Sequence, residues 1–303
     1  MLVRLVLLLV LALLVHLVAL GIYISTHLQH VSALRDYAGR PADGTNSVWL
    51  LVGSDSRSKL TRAQRAALHT GYAAGQRTDT MLLLSVPRVG SPTLVSLPRD
   101  SYVTIPGHGK NKLNGAYSIG GAALLTRTVE TATGVHIDHV AEIGLGGIVD
   151  MTDAVGGVPQ CIPRAMKDAK AGLDVKKGCQ TLDGKTALAY VRARYSDPLG
   201  DLGRVQRQRS YLRGLVSRTL SPAVLLRPDR QWRLAEAATS SVAFDGAGLI
   251  ESLRLVRAMH AVGGSGGRQT TVPIANSALQ TSVGEVVTWD TSKARALFRT
   301  LAK

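Results

Sequence analysis

Aromatic residues are scarce: they make up 4% of the 303 residues, with only two Phe and three Trp. The core must therefore be built mainly from Leu, Val, Ile and Ala. Acidic residues are also few, 21 against 36 Lys and Arg, for a formal net charge of +15. That excess implies an anionic partner, and nucleic acid, anionic lipid and an anionic polymer outside the cell all qualify. Cysteine occurs twice, at Cys161 and Cys179. Two cysteines in an exported chain point to a disulfide rather than a metal site, with a pair of buried thiols as the alternative. Internal repeats and coiled-coil heptads are missing, which excludes solenoid and fibrous architectures. With 45% hydrophobic and 19% charged residues, the chain has ordinary globular composition and enough length for one large core or two modest ones.

One long apolar run is present. Residues 5–24 are apolar except for His16, and 20 residues of helix span the roughly 30 Å of a bilayer's hydrocarbon. No small-x-small cleavage site closes the run, so it is expected to be a retained signal anchor. Residues 1–4 are then the cytoplasmic N-terminus, 25–46 a juxtamembrane tether marked by Arg40-Pro41-Ala42-Asp43-Gly44, and 47–303 a single extracytoplasmic domain. An exported domain meets lipid and wall polymer, so nucleic acid is not expected as a partner.

Short apolar runs at 48–52, 80–86 and 93–97 read as buried strands. Helical patterns follow at 120–133 and 182–190, then a strand at 270–274 after the Gly-Gly-Ser-Gly-Gly of 263–267, a strand at 285–289, and a helix at 291–302 capped by Thr291 or Ser292. Alternating strands and helices predict an α/β sandwich.

Two sets of residues carry chemistry. In Tyr190-Val191-Arg192-Ala193-Arg194-Tyr195 the arginines alternate with apolar residues, so a strand is predicted with Arg192 and Arg194 on one face. Downstream, Arg204 and Gln208 are four apart and share a helix face. Guanidinium forks match phosphate oxygens bidentately; a solvated basic face is the bland alternative. Upstream, Gly53-Ser54-Asp55-Ser56-Arg57, Arg77-Thr78-Asp79-Thr80 and Pro98-Arg99-Asp100 each set a carboxylate beside an arginine at a strand end. Strand-end carboxylates suit Mg²⁺, which binds through one or two Asp plus phosphate oxygens; turn caps or simple ion pairs would explain them otherwise. Lys112 adds a cation after a Gly-rich turn.

These segments, in this order and over residues 48–213, resemble the LytR-CpsA-Psr family of bacterial envelope proteins. The likeness rests on Leu51-Val52-Gly53-Ser54-Asp55-Ser56-Arg57, Arg77-Thr78-Asp79-Thr80-Met81, Ser96-Leu97-Pro98-Arg99-Asp100-Ser101 and Lys112-Leu113-Asn114-Gly115-Ala116-Tyr117. Asp150-Met151-Thr152-Asp153-Ala154-Val155-Gly156-Gly157-Val158, Leu182-Asp183-Gly184, Tyr190-Val191-Arg192-Ala193-Arg194 and the run from Gly200-Asp201 to Gln208 complete it. The resemblance implies a three-layer α/β/α domain with a mixed central sheet behind one transmembrane helix, in a single-pass type II membrane protein. It implies a phosphotransferase that moves an anionic glycopolymer, such as teichoic acid, from a polyprenyl-pyrophosphate carrier to peptidoglycan with Mg²⁺ or Mn²⁺. By motif match, Asp55 and Asp79 hold the metal, while Arg77, Arg99, Lys112, Arg192, Arg194, Arg204 and Gln208 bind the pyrophosphate. Arg99, Asp100, Arg192, Arg194 and Asp201 are the expected catalytic set, with Asp100 or Asp201 as general base. The Cys161 and Cys179 pair resembles a disulfide of actinobacterial members. The segment between Arg57 and Arg77 is longer than in many members, and Gly115 stands where Ala is common. A pyrophosphatase on the same site and a non-enzymatic lipid-carrier or wall-polymer binding module are the rival readings. Segments 140–148 and 247–256 are expected to line a groove for the prenyl chain, or else to pack in the core.

Overall fold

The computed structural model describes residues 1–54, 61–70, 78–193 and 200–303, without the side chains of residues 200–202 and 205. The described chain divides into two compact units, one made of residues 30–146, 243–247 and 254–303, the other of residues 1–29, 147–242 and 248–253.

The first unit carries most of a mixed seven-stranded sheet. Its strands are β1 (Gln29–His30), β2 (Ser47–Ser54), β3 (Thr78–Val86), β4 (Thr93–Leu97), β7 (His139–Ile143), β12 (Val242–Asp245) and β13 (Arg268–Thr271), in the order β1-β12-β7-β2-β3-β4-β13. β2 and β4 run antiparallel to β3, while β7 is parallel to β2 and β13 parallel to β4. The expected α/β class with a mixed central sheet is therefore what the chain adopts. Leu50, Leu83, Val95 and Val140 are fully buried, as continuous apolar runs in a covered sheet require. β13 ends at Thr271, before Pro273 and three residues earlier than predicted, because proline has no N–H to give the ladder.

A hairpin of β5 (Tyr102–Ile105) and β6 (Gly109–Lys112) leads into α3 (Leu113–Thr133). That helix starts seven residues before the predicted point and breaks at Gly120–Gly121, where Gly121 has φ 63°, a left-handed value that Gly tolerates best. A second hairpin, β14 (Ile274–Thr281) with β15 (Gly284–Trp289), precedes α10 (Thr291–Leu301). The cap of α10 is Asp290, whose carboxylate accepts from Lys293 N–H, rather than Thr291 or Ser292. The long segment after Arg57 holds a short helix, α2 (Arg62–Ala67), closed by a Thr61/Gln64 capping box.

Residues 30–46 of the stretch expected as a tether belong to this unit, while α1 (Leu2–His27) takes up residues 25–27. Asp245 Oδ2 accepts from Ala33 and Leu34 N–H, both at 2.7 Å, and Arg40 Nε meets Glu130 Oε1 at 3.0 Å. Glu130 is 1% exposed and also accepts from Tyr37 Oη and Ile137 N–H, so its buried charge is fully partnered. Gly39, at φ 81°, sits in the turn closed by Arg40 N–H on Tyr37 O.

The second unit begins with α1 (Leu2–His27), a helix long and apolar enough to cross a membrane. It continues with α4 (Leu145–Ala154, from residue 147), two hairpins, β8 (Val158–Ile162) with β11 (Gly178–Leu182) and β9 (Met166–Asp168) with β10 (Leu173–Val175), and helices α5 (Gly184–Arg192), α6 (Gly200–Thr219), α7 (Pro222–Leu225) and α8 (Pro228–Ser241). The last helix, α9 (Leu249–Gly263), has its first residues, to Leu253, in this unit. Cys161 and Cys179 face each other in the β8/β11 register and form a disulfide with Cα atoms 3.8 Å apart. On the chain-entropy model, closing a loop of this length contributes about 3 kcal/mol.

The predicted strand bearing Arg192 and Arg194 is not formed at its N-terminal part: Tyr190, Val191 and Arg192 are the last turn of α5. Asp183 caps that helix by accepting from Thr186 N–H, and Gly184 N–H is tied to Asp153 Oδ1 at 2.7 Å. Helical spacing then buries Ala187, Leu188, Tyr190 and Val191. An alternation of three or four residues fits a strand and one helical turn equally well, and the capped start upstream decides. Several family-like motifs prove to be packing devices. A Cβ at Gly184 would lie 2.5 Å from Val149 O, and one at Gly157, where φ is 86°, would lie 2.5 Å from Thr181 Cγ2.

Candidate active site

In the first unit, strand register brings several motifs to one end of the sheet. β2 ends at Ser54, which pairs with Thr78 at the start of β3, and Met81 of β3 pairs with Leu97 at the end of β4. The C-terminal ends of β2 and β4 thus meet the N-terminal end of β3, the kind of sheet edge where open α/β folds bind ligands.

Arg99 organises this edge. Its Nη1 donates to Asp79 Oδ1 at 2.6 Å and its Nε to Asp100 Oδ2 at 3.2 Å; Asp100 Oδ1 in turn meets Lys112 Nζ at 3.3 Å. Burial pulls the Arg99 guanidinium down, but hydrogen bonding and charge from Asp79, then from Asp100, hold it above its ordinary value. Arg99 stays charged at every physiological pH. The backbone places the cluster too: Leu113 N–H donates to Ser101 O and Asn114 N–H to Arg99 O, so the first turn of α3 spends its otherwise unsatisfied donors on the Arg99–Ser101 turn. Trp289 Nε1 donates to Ser101 Oγ at 2.9 Å, and Val287 N–H to Asp100 O.

Four sequence-predicted residues, Asp79, Arg99, Asp100 and Lys112, are therefore joined in one chain of ion pairs. Asp55, Arg77 and Arg194 lie outside the described residues, as does the side chain of Asp201. Arg192, Arg204 and Gln208 belong to the second unit. There Gln208 Nε2 donates to Val191 O at 3.3 Å, and Arg204 is buried on α6. The neighbouring Arg207, which the motif reading passed over, is 6% exposed; its Nε donates to Tyr190 O at 3.1 Å and its Nη2 to Ala193 O. Arginine at the carbonyl end of α5 is favoured by the helix dipole. Burial alone lowers Arg209 below the usual arginine value.

Two oxygen groups near the sheet edge were also unassigned by sequence. Among the described residues Ser54 Oγ is buried without a hydrogen-bond partner at the end of β2, across from Thr78. Glu142, which pairs with Val52 at the end of β7, accepts from Tyr117 Oη. An acidic residue near the end of an apolar strand was the available signal for Glu142; Ser54 had none beyond its motif.

A divalent cation would find hard oxygen donors here. The orphaned Ser54 hydroxyl and Asp79 Oδ2, which makes no ion pair among the described residues, are of the type Mg²⁺ takes, with phosphate oxygens completing the shell. A separate cavity of about 710 Å³ in the same unit is lined by Tyr102, Trp289, Phe298, Lys110, Arg295 and Arg299 among others, and neither 140–148 nor 247–256 contributes to it.

The profile of the LytR_cpsA_psr family matches residues 26–302. The chain belongs to this family. It is 48% identical over 261 residues to LcpB of Corynebacterium glutamicum, a probable cell wall biosynthesis protein, covering 85% of this chain and 61% of that one. It is 44% identical over 147 residues to TagU of Enterococcus faecalis, a polyisoprenyl-teichoic acid–peptidoglycan teichoic acid transferase, covering 48% of each. The chain thus spans about three fifths of LcpB and half of TagU. Among solved structures, a LytR-Csp2A-Psr enzyme from Actinomyces oris matches with TM-score 0.67 at 20% identity, over 91% of this chain and 96% of that one. The fold of this LytR_cpsA_psr protein is thereby the family's, and the resemblance to an actinobacterial type agrees with the Corynebacterium relative.

Proposed function

We propose that this LytR_cpsA_psr protein is a phosphotransferase that attaches an anionic glycopolymer from a polyprenyl-pyrophosphate carrier to peptidoglycan, held to the outer face of the cell membrane by α1 in type II orientation. The observation that carries the reading is the Asp79–Arg99–Asp100–Lys112 chain at the sheet edge, beside the orphaned Ser54 hydroxyl. Two cations pinned by carboxylates are pre-oriented for pyrophosphate oxygens, so little reorganisation is needed as charge develops on the transferring phosphorus. Arg77, Arg192, Arg194, Arg204 and Gln208 belong to the proposal as phosphate ligands on their motif match alone. The transferase name of TagU supports the donor and acceptor classes.

In the proposed reaction, a peptidoglycan sugar hydroxyl forms a bond to the glycan-side phosphorus while the bridging P–O bond breaks. Polyprenyl phosphate leaves with the electron pair, and the hydroxyl proton passes to a base or to solvent. Asp100 has both oxygens in ion pairs, so its work is to orient Arg99 and Lys112. Asp79, with Asp55 and Ser54, would hold Mg²⁺ or Mn²⁺, which supplies further charge neutralisation when bound.

The test is transfer of a labelled polyprenyl-pyrophosphate glycan by the purified full chain, with and without peptidoglycan and with and without chelator. Label in peptidoglycan that disappears with chelator is the expected result. Release of glycan phosphate that ignores peptidoglycan would make the protein a pyrophosphatase. Binding without turnover would make it a carrier-binding module.

A further inference from the structure

His16 sits in the middle of the apolar run of α1, where an imidazole facing hydrocarbon would be left unsatisfied. Its partner comes from α8: His16 Nε2 and Gln231 Oε1 are 2.8 Å apart. Gln231 Nε2 donates in turn to Leu225 O at 2.5 Å, which makes His16, Gln231 and the end of α7 one hydrogen-bonded chain at one height along α1. Closer to the end of α1, Tyr23 packs on Trp232 with ring centroids 4.9 Å apart, and Gly21 leaves room that Leu249 at the start of α9 fills, its Cδ2 3.6 Å from where a Cβ would be.

Height matters because His16 lies eight residues before Ile24, the end of the apolar run; at 1.5 Å per residue that is about 12 Å inside it. The α7–α8 corner is tied to that depth. It presents Leu225 and Leu226, the latter 79% exposed, and the neighbouring Trp232, Ile250 and Leu253 are exposed as well. Around them, residues 226–233 carry Arg227, Arg230 and Arg233 against one acid, Asp229. Exposed aliphatics with an exposed Trp, rimmed by arginine, form the pattern of a surface that lies in a bilayer interface of anionic lipid.

We propose that the α7–α8 corner and the start of α9 are themselves sunk into the outer leaflet of an anionic membrane, alongside α1, so that this unit is monotopically inserted rather than suspended above the lipid. The bilayer is favoured over a second copy of the chain because the corner is fixed in register with α1, whose own side chains face outward along the run. This rests on the reading of α1 as a membrane anchor.

The experiment uses the full chain in vesicles of phosphatidylglycerol and cardiolipin, with the native disulfide intact. An environment-sensitive fluorophore is placed on Leu226→Cys, on Ile250→Cys, and on Lys167→Cys as a control; Lys167 is exposed on β9 in the same unit. Leu226 and Ile250 are exposed, so neither change threatens folding. Lipids carrying a spin label on the acyl chain should quench the first two probes at least threefold more than the control, independently of protein density in the vesicles. Protein that floats with the vesicles but shows equal quenching at all three sites would overturn the insertion while leaving the anchor in place. Quenching that appears only at high protein density would assign the surface to a second copy and overturn it too. Protein that fails to float would overturn the anchor reading, and the insertion with it.

Discussion

Arg99 and Arg207 show two ways to hold a guanidinium. In the first unit Arg99 is gripped by two carboxylates and remains reachable; in the second Arg207 is buried and gripped by the carbonyls of Tyr190 and Ala193 at the end of α5. Carboxylates neutralise a cation and orient it, which suits a residue that must exchange partners with an incoming anion. Carbonyls fix the direction of the N–H groups they accept from, which suits a residue that fixes one helix against another. The difference teaches that arginines drawn from similar basic motifs can be held in two ways, by carboxylates or by carbonyls.

The comparison breaks first at Arg99. Arg99→Ala should lower glycan transfer by about 10²- to 10³-fold, the range seen when one charge-stabilising donor is removed from a site. Thermal unfolding should hardly move, since the lost ion pairs are partly exposed and such pairs contribute about 1 kcal/mol or less. A large loss of stability with the loss of transfer would make Arg99 a holding residue like Arg207.

Arg207→Ala should do the reverse. Removing a buried guanidinium leaves the Tyr190 and Ala193 carbonyls without their donor, at about 3 kcal/mol. Denaturant unfolding should register that cost, and Arg207→Lys should recover only part of it because an ammonium lacks the planar fork. A stable Arg207→Ala protein with reduced transfer would move Arg207 into the acting group.

Helix caps give a smaller, pH-dependent contrast. Backbone and side-chain hydrogen bonds from Lys293 hold Asp290 down to about 2, and hydrogen bonding from Thr186 lowers Asp183 as well. A depressed carboxylate stabilises the fold above its unfolded value, near about 3.9, and that contribution is lost as pH falls through the folded value. Stability of the wild-type chain should therefore decline between about pH 4 and pH 2. Asp290→Asn should flatten the α10 share and Asp183→Asn the α5 share, read as separate changes in melting temperature against pH. An unchanged pH slope in both variants would remove the caps as its source.

Much of this was legible beforehand, for identifiable reasons. β4 forms at 93–97 as expected, because a short apolar run that stops at Pro98-Arg99-Asp100 reads as a buried strand. The Arg99 and Asp79 motifs pointed to one edge because each follows or opens such a run. The chain from Tyr190 to Arg192 misled because its alternation is shorter than either period needs. Ser54 and Glu142 went unassigned because each matters through the strand paired beside it, and register between distant segments is not written in local sequence.

The last test is the mildest and concerns how rigid the acting group must be. Gly115 lies in the first turn of α3, two residues after Leu113, whose N–H holds Ser101 O, and one after Asn114, whose N–H holds Arg99 O. A Cβ there would meet Asn111 at 3.7 Å and Ile105 at 3.8 Å, ordinary contacts, and no left-handed backbone is required. Gly115→Ala should therefore stabilise the protein by about 0.5 to 1 kcal/mol, chiefly by restricting the unfolded chain. If Arg99 works as a pre-oriented group, a stiffer α3 start leaves transfer unchanged or slightly raised. If transfer falls while melting temperature rises, the Arg99 turn has to move during the reaction, and the carboxylate grip on Arg99 is a resting state that the substrate must open.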